Sequence, residues 1–337
     1  MRLSFFGLAI LALAASGAQS ETRHGTVQRV TVHGKSLEGN LEGDSPDRDV
    51  AVYLPPGYDA AAGKRYPVVY LLHGFTDDTD NWWGVKPHFV SVPAVMDRAL
   101  ASGVRDMIVV MPNAFTRYQG SMYSNSATTG NWEDYVAGDL VAYIDAHYRT
   151  IAGREGRGLA GHSMGGYGAI RIGMKHPSVY SSLYLLSPCC MAAGSIRASA
   201  KAEAVRDPAE VEKADFSTKI VLASAAAWSP NPKNPPLFFD LPYKGGKLQP
   251  QVAAKWTANA PLAMIDQFIA NLRQYRGIAM DAGTRDREIA GTVEQLDKVL
   301  SDYDIAHVSE IYEGDHVNRI AERLEKKALP FFAAHLK

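Results

Sequence analysis

A serine flanked by glycines, in the stretch GHSMG at residues 161–165, is the feature that most constrains the fold of this chain. Residues 158–160 before it read as a short buried strand, and residues 166–174 after it read as a helix. A strand, a sharp turn and a helix place the serine on a strained elbow with its hydroxyl exposed. Side chains at the two glycine positions would collide with the opposite limb of the turn. The motif therefore predicts a hydrolase that uses Ser163 as its nucleophile.

The composition is that of a globular protein that can form a stable core without a structural metal or disulfide bonds. The 337 residues are 46% hydrophobic and 21% charged, and the formal net charge is -1. This length fits one large α/β domain. The near-neutral charge gives no basic surface for nucleic acid. We expect no cofactor and no metal.

The N-terminus has the pattern of a cleaved signal peptide. Arg2 supplies the positive end, residues 3–15 form an apolar run too short to span a bilayer, and small residues occupy positions 18 and 20. We expect cleavage before Glu21, so that residues 1–20 are lost and residues 21–337 form the mature domain. The sequence thus predicts a secreted or periplasmic protein with no membrane span in its mature chain.

Short apolar runs alternate with helical patterns along the rest of the chain. An amphipathic helix is predicted over residues 133–148, and a final helix over about 318–336. The predicted strands are residues 25–34, 49–54, 68–72, 107–111, 158–160, 182–186, 277–280 and 308–312. This alternation predicts an α/β fold with a mostly parallel sheet covered by helices on both faces.

Residues 188–275 interrupt the alternation between two predicted sheet strands. The segment is far longer than a usual connection. It contains a polar helical piece near residues 198–214 and a proline-rich stretch, residues 229–236, that cannot be regular structure. We interpret it as an insertion that shapes the substrate entrance; a structural excursion packed beside the sheet is the alternative.

The two cysteines, Cys189 and Cys190, are adjacent at the start of this insertion. They do not form a disulfide framework, because neighbouring residues rarely bridge without strain. Their position after an apolar strand predicts partly buried structural thiols.

The serine needs a base, and the base needs a carboxylate that orients it. In a sheet of this kind the chain order is serine, acid, histidine. His316 directly follows the last predicted strand, at the carboxyl edge of the sheet where ligands bind, and is the predicted base. Asp286, on a loop after Gly283 where a turn can aim it at the histidine, is the preferred acid. Asp281, at the strand end itself, is the alternative.

The tetrahedral intermediate requires two N–H donors. The backbone N–H of Met164 follows the nucleophile at the start of a helix, whose positive end favours negative charge. The second donor is expected on the loop after the strand at residues 68–72, from the N–H of Phe75 or Gly74.

Aromatic side chains near the predicted mouth are candidates for contact with a sugar or phenolic ring, and core packing is the alternative for each. These candidates are Trp82, Trp83, Tyr123 and Trp132. The acidic run at residues 76–80 matches no standard calcium loop and is interpreted as a solvated loop.

Five motifs together resemble the putative-esterase (esterase D-like) family of α/β hydrolases, over about residues 49–337. The family includes feruloyl and acetyl-xylan esterases, S-formylglutathione hydrolase and mycolyltransferases. The motifs are YLPPGY at 53–58, VYLLHG at 69–74, GHSMGG at 161–166, GTRD at 283–286 and GDH at 314–316.

The resemblance implies the α/β-hydrolase fold, with Ser163 as nucleophile, Asp286 as acid and His316 as base, and it favours Phe75 as the second oxyanion donor. It implies a serine carboxylesterase acting on a small-molecule or carbohydrate-linked ester. The chain departs from the family in the long insertion and in Val317, where an aromatic residue often follows the histidine. An acyltransferase of the mycolyltransferase type and a non-catalytic carbohydrate-binding relative are the alternatives.

Overall fold

An eight-stranded mixed sheet forms the centre of the protein in the computed structural model, which describes residues 24–193 and 198–337. The predicted signal peptide, residues 1–20, lies outside the described residues. The strands are β1 (Thr26–His33), β2 (Asp47–Leu54), β3 (Val68–Leu72), β4 (Ile108–Pro112), β5 (Arg157–His162), β6 (Ser182–Leu186), β7 (Gly277–Gly283) and β8 (Val308–Tyr312). Their order across the sheet is β1-β2-β4-β3-β5-β6-β7-β8, with β1, β2 and β4 paired antiparallel and all other neighbours parallel.

Helices cover both faces of this sheet. The longer ones are α1 (Val92–Ala101), α2 (Leu140–His147), α3 (Met164–Lys175), α4 (Phe216–Trp228), α5 (Pro250–Ala258), α6 (Arg287–Asp302) and α7 (Leu329–His335). One face packs under α2, α3 and α6, and the other under α1 and α7. Burial from both sides explains why β3 and β6 are largely apolar and why β5 and β7 consist mainly of apolar and small residues. The predicted α/β-hydrolase fold is confirmed.

Shorter elements complete the chain. Helical turns lie at Lys35–Leu37, Thr79–Trp82, Trp132–Asp134, Arg154–Gly156, Ala200–Ala204, Pro208–Lys213, Pro261–Met264, Ile265–Phe268, Ile269–Leu272 and Ile320–Arg323. Two-residue strands pair as Asn125–Ser126 with Gly130–Asn131 and as Tyr243–Lys244 with Lys247–Leu248. Within the described ranges, no helix combines the length and the apolar character needed to cross a membrane.

The helices predicted over residues 133–148 and 318–336 each contain a π-helical turn. The first extends from Trp132 to His147 through a π-helical turn at Tyr135–Asp139, and its predicted stripe of Val136, Leu140, Ile144 and Tyr148 is buried. The final helix, predicted as one element over 318–336, is interrupted by a second π-helical turn at Leu324–Ala328. Pro330, in the first turn of α7, has no N–H to continue the regular ladder, which gives a physical reason for the interruption.

The insertion at residues 188–275 connects β6 to β7, which lie side by side in the sheet. Its helices bury a small apolar cluster of their own, which includes Val211, Leu222 and Phe239. The insertion is tied to the loop after β4, where the Tyr118 hydroxyl donates to the Leu237 carbonyl at 2.8 Å. The proline-rich stretch at 229–236 has no regular structure, as predicted.

Candidate active site

Ser163 lies on a tight turn between the end of β5 and the start of α3. Its backbone has φ +54° and ψ -114°, a conformation that L-residues rarely adopt. A Cβ atom at Gly161 would overlap the Gly165 carbonyl, which is the predicted collision across the turn. A Cβ atom at Gly165 would instead overlap the Leu72 carbonyl, so the obstacle at this position is β3. The glycines therefore let the elbow close against the sheet.

Three side chains from separate parts of the sequence form one hydrogen-bonded chain at this turn. The Ser163 hydroxyl lies 2.9 Å from His316 Nε2, and His316 Nδ1 lies 2.6 Å from Asp286 Oδ2. With Nδ1 donating to the carboxylate, Nε2 is free to accept the serine proton. Ser163 is only 9% exposed, whereas the His316 side chain is 34% exposed. A substrate can thus approach from the histidine side.

The loops that carry Asp286 and His316 are joined by backbone hydrogen bonds. Arg285 N–H donates to the Gly314 carbonyl at 2.8 Å, and Thr284 N–H donates to the Tyr312 carbonyl at 2.8 Å. Since these bonds link the segment after β7 to the segment after β8, the acid and the base are held in register by main chain.

His162 holds the His316 loop in place through a hydrogen bond. Its Nε2 donates to the His316 carbonyl at 2.8 Å, and the ring packs beside Trp82. Burial, with a smaller effect of the nearby His316, lowers the pKa of His162 to about 3. His162 is therefore neutral at physiological pH and acts as a fixed donor.

The alternative acid, Asp281, faces away from His316. Its Oδ2 accepts from Arg323 Nε and from the Tyr184 hydroxyl, both at 2.9 Å, and the side chain is fully buried. Burial raises the pKa of Asp281 to about 6, and the Arg323 guanidinium opposes that effect. The structure therefore brings Asp286, and not Asp281, to the histidine.

The backbone N–H groups of Phe75 and Met164 are the two donors predicted for the oxyanion. Within residues 24–193 and 198–337, neither donates a hydrogen bond to another protein group. The Gly74 carbonyl accepts from His73 Nδ1 at 2.9 Å, while His73 Nε2 accepts from Ala114 N–H at 2.8 Å. Because the peptide between residues 74 and 75 is planar and trans, holding this carbonyl inward directs the Phe75 N–H outward.

The four aromatic residues predicted as substrate contacts are buried, which corrects that prediction. Trp82 donates from Nε1 to Asp77 at 2.8 Å, the Tyr123 ring packs against His73, and Trp132 packs under the Arg48 guanidinium. Trp83 is buried beside Trp82 in the core under α1. These rings pack in the core and stabilise the loops behind the site, so their aromatic surface does not contact a substrate.

Hydrogen bonds and an ion pair hold the acidic loop at residues 76–80 in place. Asp78 accepts from Asn81 N–H in a capping box and pairs with Lys86. Across the described ranges, no group of three or more histidine, cysteine, aspartate or glutamate side chains is placed to hold a metal ion.

Sequence reasoning missed a contact between the insertion and Phe75, on the loop after β3. The Phe216 ring, at the first turn of α4, lies 5.8 Å from the Phe75 ring in an edge-to-face arrangement. Phe216 is 59% exposed, and Ile220, one turn later, is also exposed. Phe216 and Ile220 are four residues apart, so they lie on one face of α4, away from its alanine-rich buried face. This spacing is the only feature of the sequence that indicates the surface.

Comparison with known proteins identifies the family of this chain. The family described as "Putative esterase" matches residues 45–319. Esterase Rv1288 of Mycobacterium tuberculosis (strain ATCC 25618 / H37Rv) is 34% identical over 137 residues, which is 40% of this chain and 27% of that protein. An endo-1,4-beta-xylanase/feruloyl esterase of Xylanibacter ruminicola is 31% identical over 173 residues, 50% of this chain and 22% of that protein. The chain thus spans about a quarter of the length of these curated relatives.

Solved structures share the fold at lower identity. A ferulic acid esterase superposes with a TM-score of 0.67 at 23% identity, covering 93% of this chain and 99% of its own. An S-formylglutathione hydrolase from Agrobacterium tumefaciens superposes with a TM-score of 0.59 at 19% identity, covering 94% and 97%.

Proposed function

Because the chain belongs to the family described as "Putative esterase", we propose that it hydrolyses carboxylic esters through an acyl-enzyme on Ser163. The observation that carries the proposal is the chain of hydrogen bonds from the Ser163 hydroxyl through His316 to Asp286. A serine hydroxyl is a weak nucleophile until a positioned base removes its proton, and this arrangement supplies that base.

The proposed reaction has two halves. His316 Nε2 takes the Ser163 proton as the hydroxyl oxygen attacks the ester carbonyl carbon, and Asp286 stabilises the resulting imidazolium. The N–H groups of Phe75 and Met164 donate to the oxyanion, and His316 then protonates the leaving alcohol. In the second half, His316 activates a water molecule that releases the acid and restores the serine.

We place the substrate entrance beside the insertion. Phe75 contributes its backbone to the proposed oxyanion site and its ring to the contact with Phe216. The acid part of an ester bound at Ser163 would therefore meet an apolar surface formed by Phe75, Phe216 and Ile220. We infer that the substrate is a small-molecule or carbohydrate-linked ester with an apolar acid part.

Secretion is a separate proposal that rests on residues 1–20. Their charge, apolar run and small residues fit a signal peptide, so the chain would act outside the cytoplasm. N-terminal sequencing of the protein recovered from the extracellular or periplasmic fraction should begin at Glu21.

The esterase proposal is tested with nitrophenyl esters from acetate to long acyl chains, and a feruloyl ester, assayed beside Ser163→Ala. We expect hydrolysis that falls by several orders of magnitude in the variant, with an unchanged circular dichroism spectrum. Equal rates for the two proteins would contradict the proposal. Product formed only when an alcohol or sugar acceptor is added would identify a transferase instead.

A further inference from the structure

Two thiols lie directly beside the proposed nucleophile, on the turn that follows β6. The sulfur atoms of Cys189 and Cys190 lie 2.8 Å apart on the same side of this turn, and both residues are half-buried. The reaction proposed above uses neither of them. Their position is therefore a chemical feature of the site that still needs a role.

The end of β6 and the turn that follows it are both hydrogen-bonded to the backbone of Ser163. Ser163 N–H donates to the Leu186 carbonyl at 3.0 Å, and Cys189 N–H donates to the Ser163 carbonyl at 3.1 Å. Cys190 itself has a positive φ of +60°. A backbone change at residues 189–190 would therefore act directly on the strained elbow.

The reduced Cys189 thiol is uncharged at neutral pH. The hydrogen bond with Cys190, together with burial, raises the pKa of the Cys189 thiol well above its usual value, while the neighbouring Ser163 hydroxyl acts in the opposite direction. Cys189 in this state does not compete with Ser163 as a nucleophile. The pair is thus compatible with catalysis as long as it stays reduced.

We propose that Cys189 and Cys190 form a thiol switch, in which reaction with a small aliphatic disulfide joins them and slows the reaction at Ser163. The first half of this inference, closure of the bond, is independent of the proposed function; the second half rests on it.

The exchange balances without any other reactant. The Cys190 sulfur attacks one sulfur of the small disulfide and releases one small thiol. The Cys189 sulfur then attacks the Cys190 sulfur of the mixed disulfide and releases the second. The protein loses two electrons and two protons, which the small disulfide takes up as two thiols.

Closure requires the backbone to move. Neighbouring Cα atoms are about 3.8 Å apart across a trans peptide, whereas disulfide-bonded residues usually have Cα atoms about 4.4–6.8 Å apart. The ring formed by a bond between adjacent cysteines must therefore distort the peptide between them. The N–H of Cys189 belongs to the peptide just before it, so its bond to the Ser163 carbonyl is the first contact exposed to that distortion.

To test this, the purified mature protein is treated with cystamine, a small aliphatic disulfide, at mildly alkaline pH, and three quantities are measured. Intact mass reports bond closure, nitrophenyl ester hydrolysis reports turnover, and the labelling rate with a fluorophosphonate probe reports the reactivity of Ser163 without any ester. Dithiothreitol is then added to reverse the reaction. Cys190→Ser is the matched control, and Cys190→Gly, which accepts a positive φ, serves if the serine variant folds poorly.

We expect the mass of the treated protein to fall by two hydrogen atoms. Ester hydrolysis and probe labelling should both slow about tenfold or more and recover fully in dithiothreitol. Neither Cys190 variant should show this slowing. Mixed disulfides alone, or an unchanged mass, would overturn closure. Closure with unchanged labelling and hydrolysis would overturn control of Ser163, and so would equal slowing in the Cys190 variants. If the reduced protein hydrolyses no ester, the proposed function fails, and mass and labelling still decide the switch.

Discussion

At the scale of single residues, the site depends on atoms that are held in place before any substrate arrives. Ser163 has an unfavourable backbone conformation, and the two flanking glycines remove the side chains that would prevent it. His73 and His162 act as neutral donors that hold the loop after β3 and the His316 loop. Buried neutral histidines do this well because each ring offers a donor in a fixed direction.

The two aspartates near the end of β7 should respond differently to the same substitution. Asp286→Asn should lower kcat by about 10³–10⁴-fold with little change in stability, because the amide no longer stabilises the His316 imidazolium. Asp281→Asn should leave kcat of the folded protein nearly unchanged and lower the free energy of unfolding by about 3–5 kcal/mol, because it breaks the buried ion pair with Arg323. Ester hydrolysis and urea unfolding of both variants measure these effects. The opposite ranking in kcat would identify Asp281 as the acid.

The sequence predicted the residues of the hydrogen-bonded chain because each follows a strand at the same edge of the sheet. Ser163, Asp286 and His316 needed only the order of the strands and the chemistry of a serine nucleophile. The aromatic candidates failed for a different reason. A position in a loop near the mouth says nothing about depth, and Trp82 and Tyr123 are buried by contacts with residues far away in the sequence.

At the scale of secondary-structure elements, three predicted strands have the bounds found in the structure: β3, β6 and β8. β3 and β6 are largely apolar runs bounded by polar or turn residues, so the local pattern is sufficient for them, whereas β8 carries Ser309 and Glu310. The π-helical turn in the last helix was not predicted, because hydrophobic periodicity does not report on the missing N–H of Pro330. The apolar cluster of the insertion was also not predicted, because residues of α4 pack there against Val211 and Phe239, which lie outside that helix in the sequence.

Helix α4 should influence which esters are accepted. Phe216→Ala should raise KM about tenfold for esters with a large apolar acid part and leave acetate esters unchanged, because only the larger acids reach the Phe75–Phe216 surface. Steady-state kinetics over the nitrophenyl ester series would measure this.

Leu248→Ala is the matched control, since Leu248 is also an exposed apolar residue of the insertion but lies in the hairpin with Tyr243–Lys244. A uniform change over all chain lengths in Phe216→Ala, or the same change in Leu248→Ala, would show that α4 does not contact the acid part.

At the scale of the whole molecule, the buried neutral His162 makes the free energy of unfolding depend on pH. Its pKa is about 3 in the folded protein, against an ordinary value of 6.5, so the unfolded chain binds this proton first as pH falls. Stability should therefore decrease between pH 6.5 and pH 3, by about 1.4 kcal/mol per pH unit from this one group. Above pH 6.5 the group contributes no pH dependence.

His162→Gln keeps a side-chain N–H and removes the titration. Urea unfolding over this pH range should give a shallower decline for the variant, while the carboxylates contribute equally to both curves. Parallel curves for the two proteins would contradict a neutral, buried His162.

The central claim is that Ser163 carries the acyl group during turnover, and trapping that intermediate tests it most directly. A slowly hydrolysed nitrophenyl ester is mixed with the protein, the reaction is quenched in acid within the first turnover, and intact mass and peptide mapping locate the acyl group. We predict a burst of one nitrophenol per protein molecule and one acyl group on Ser163, with neither seen in Ser163→Ala. Turnover without an acylated protein, or an acyl group on another residue, would contradict the account.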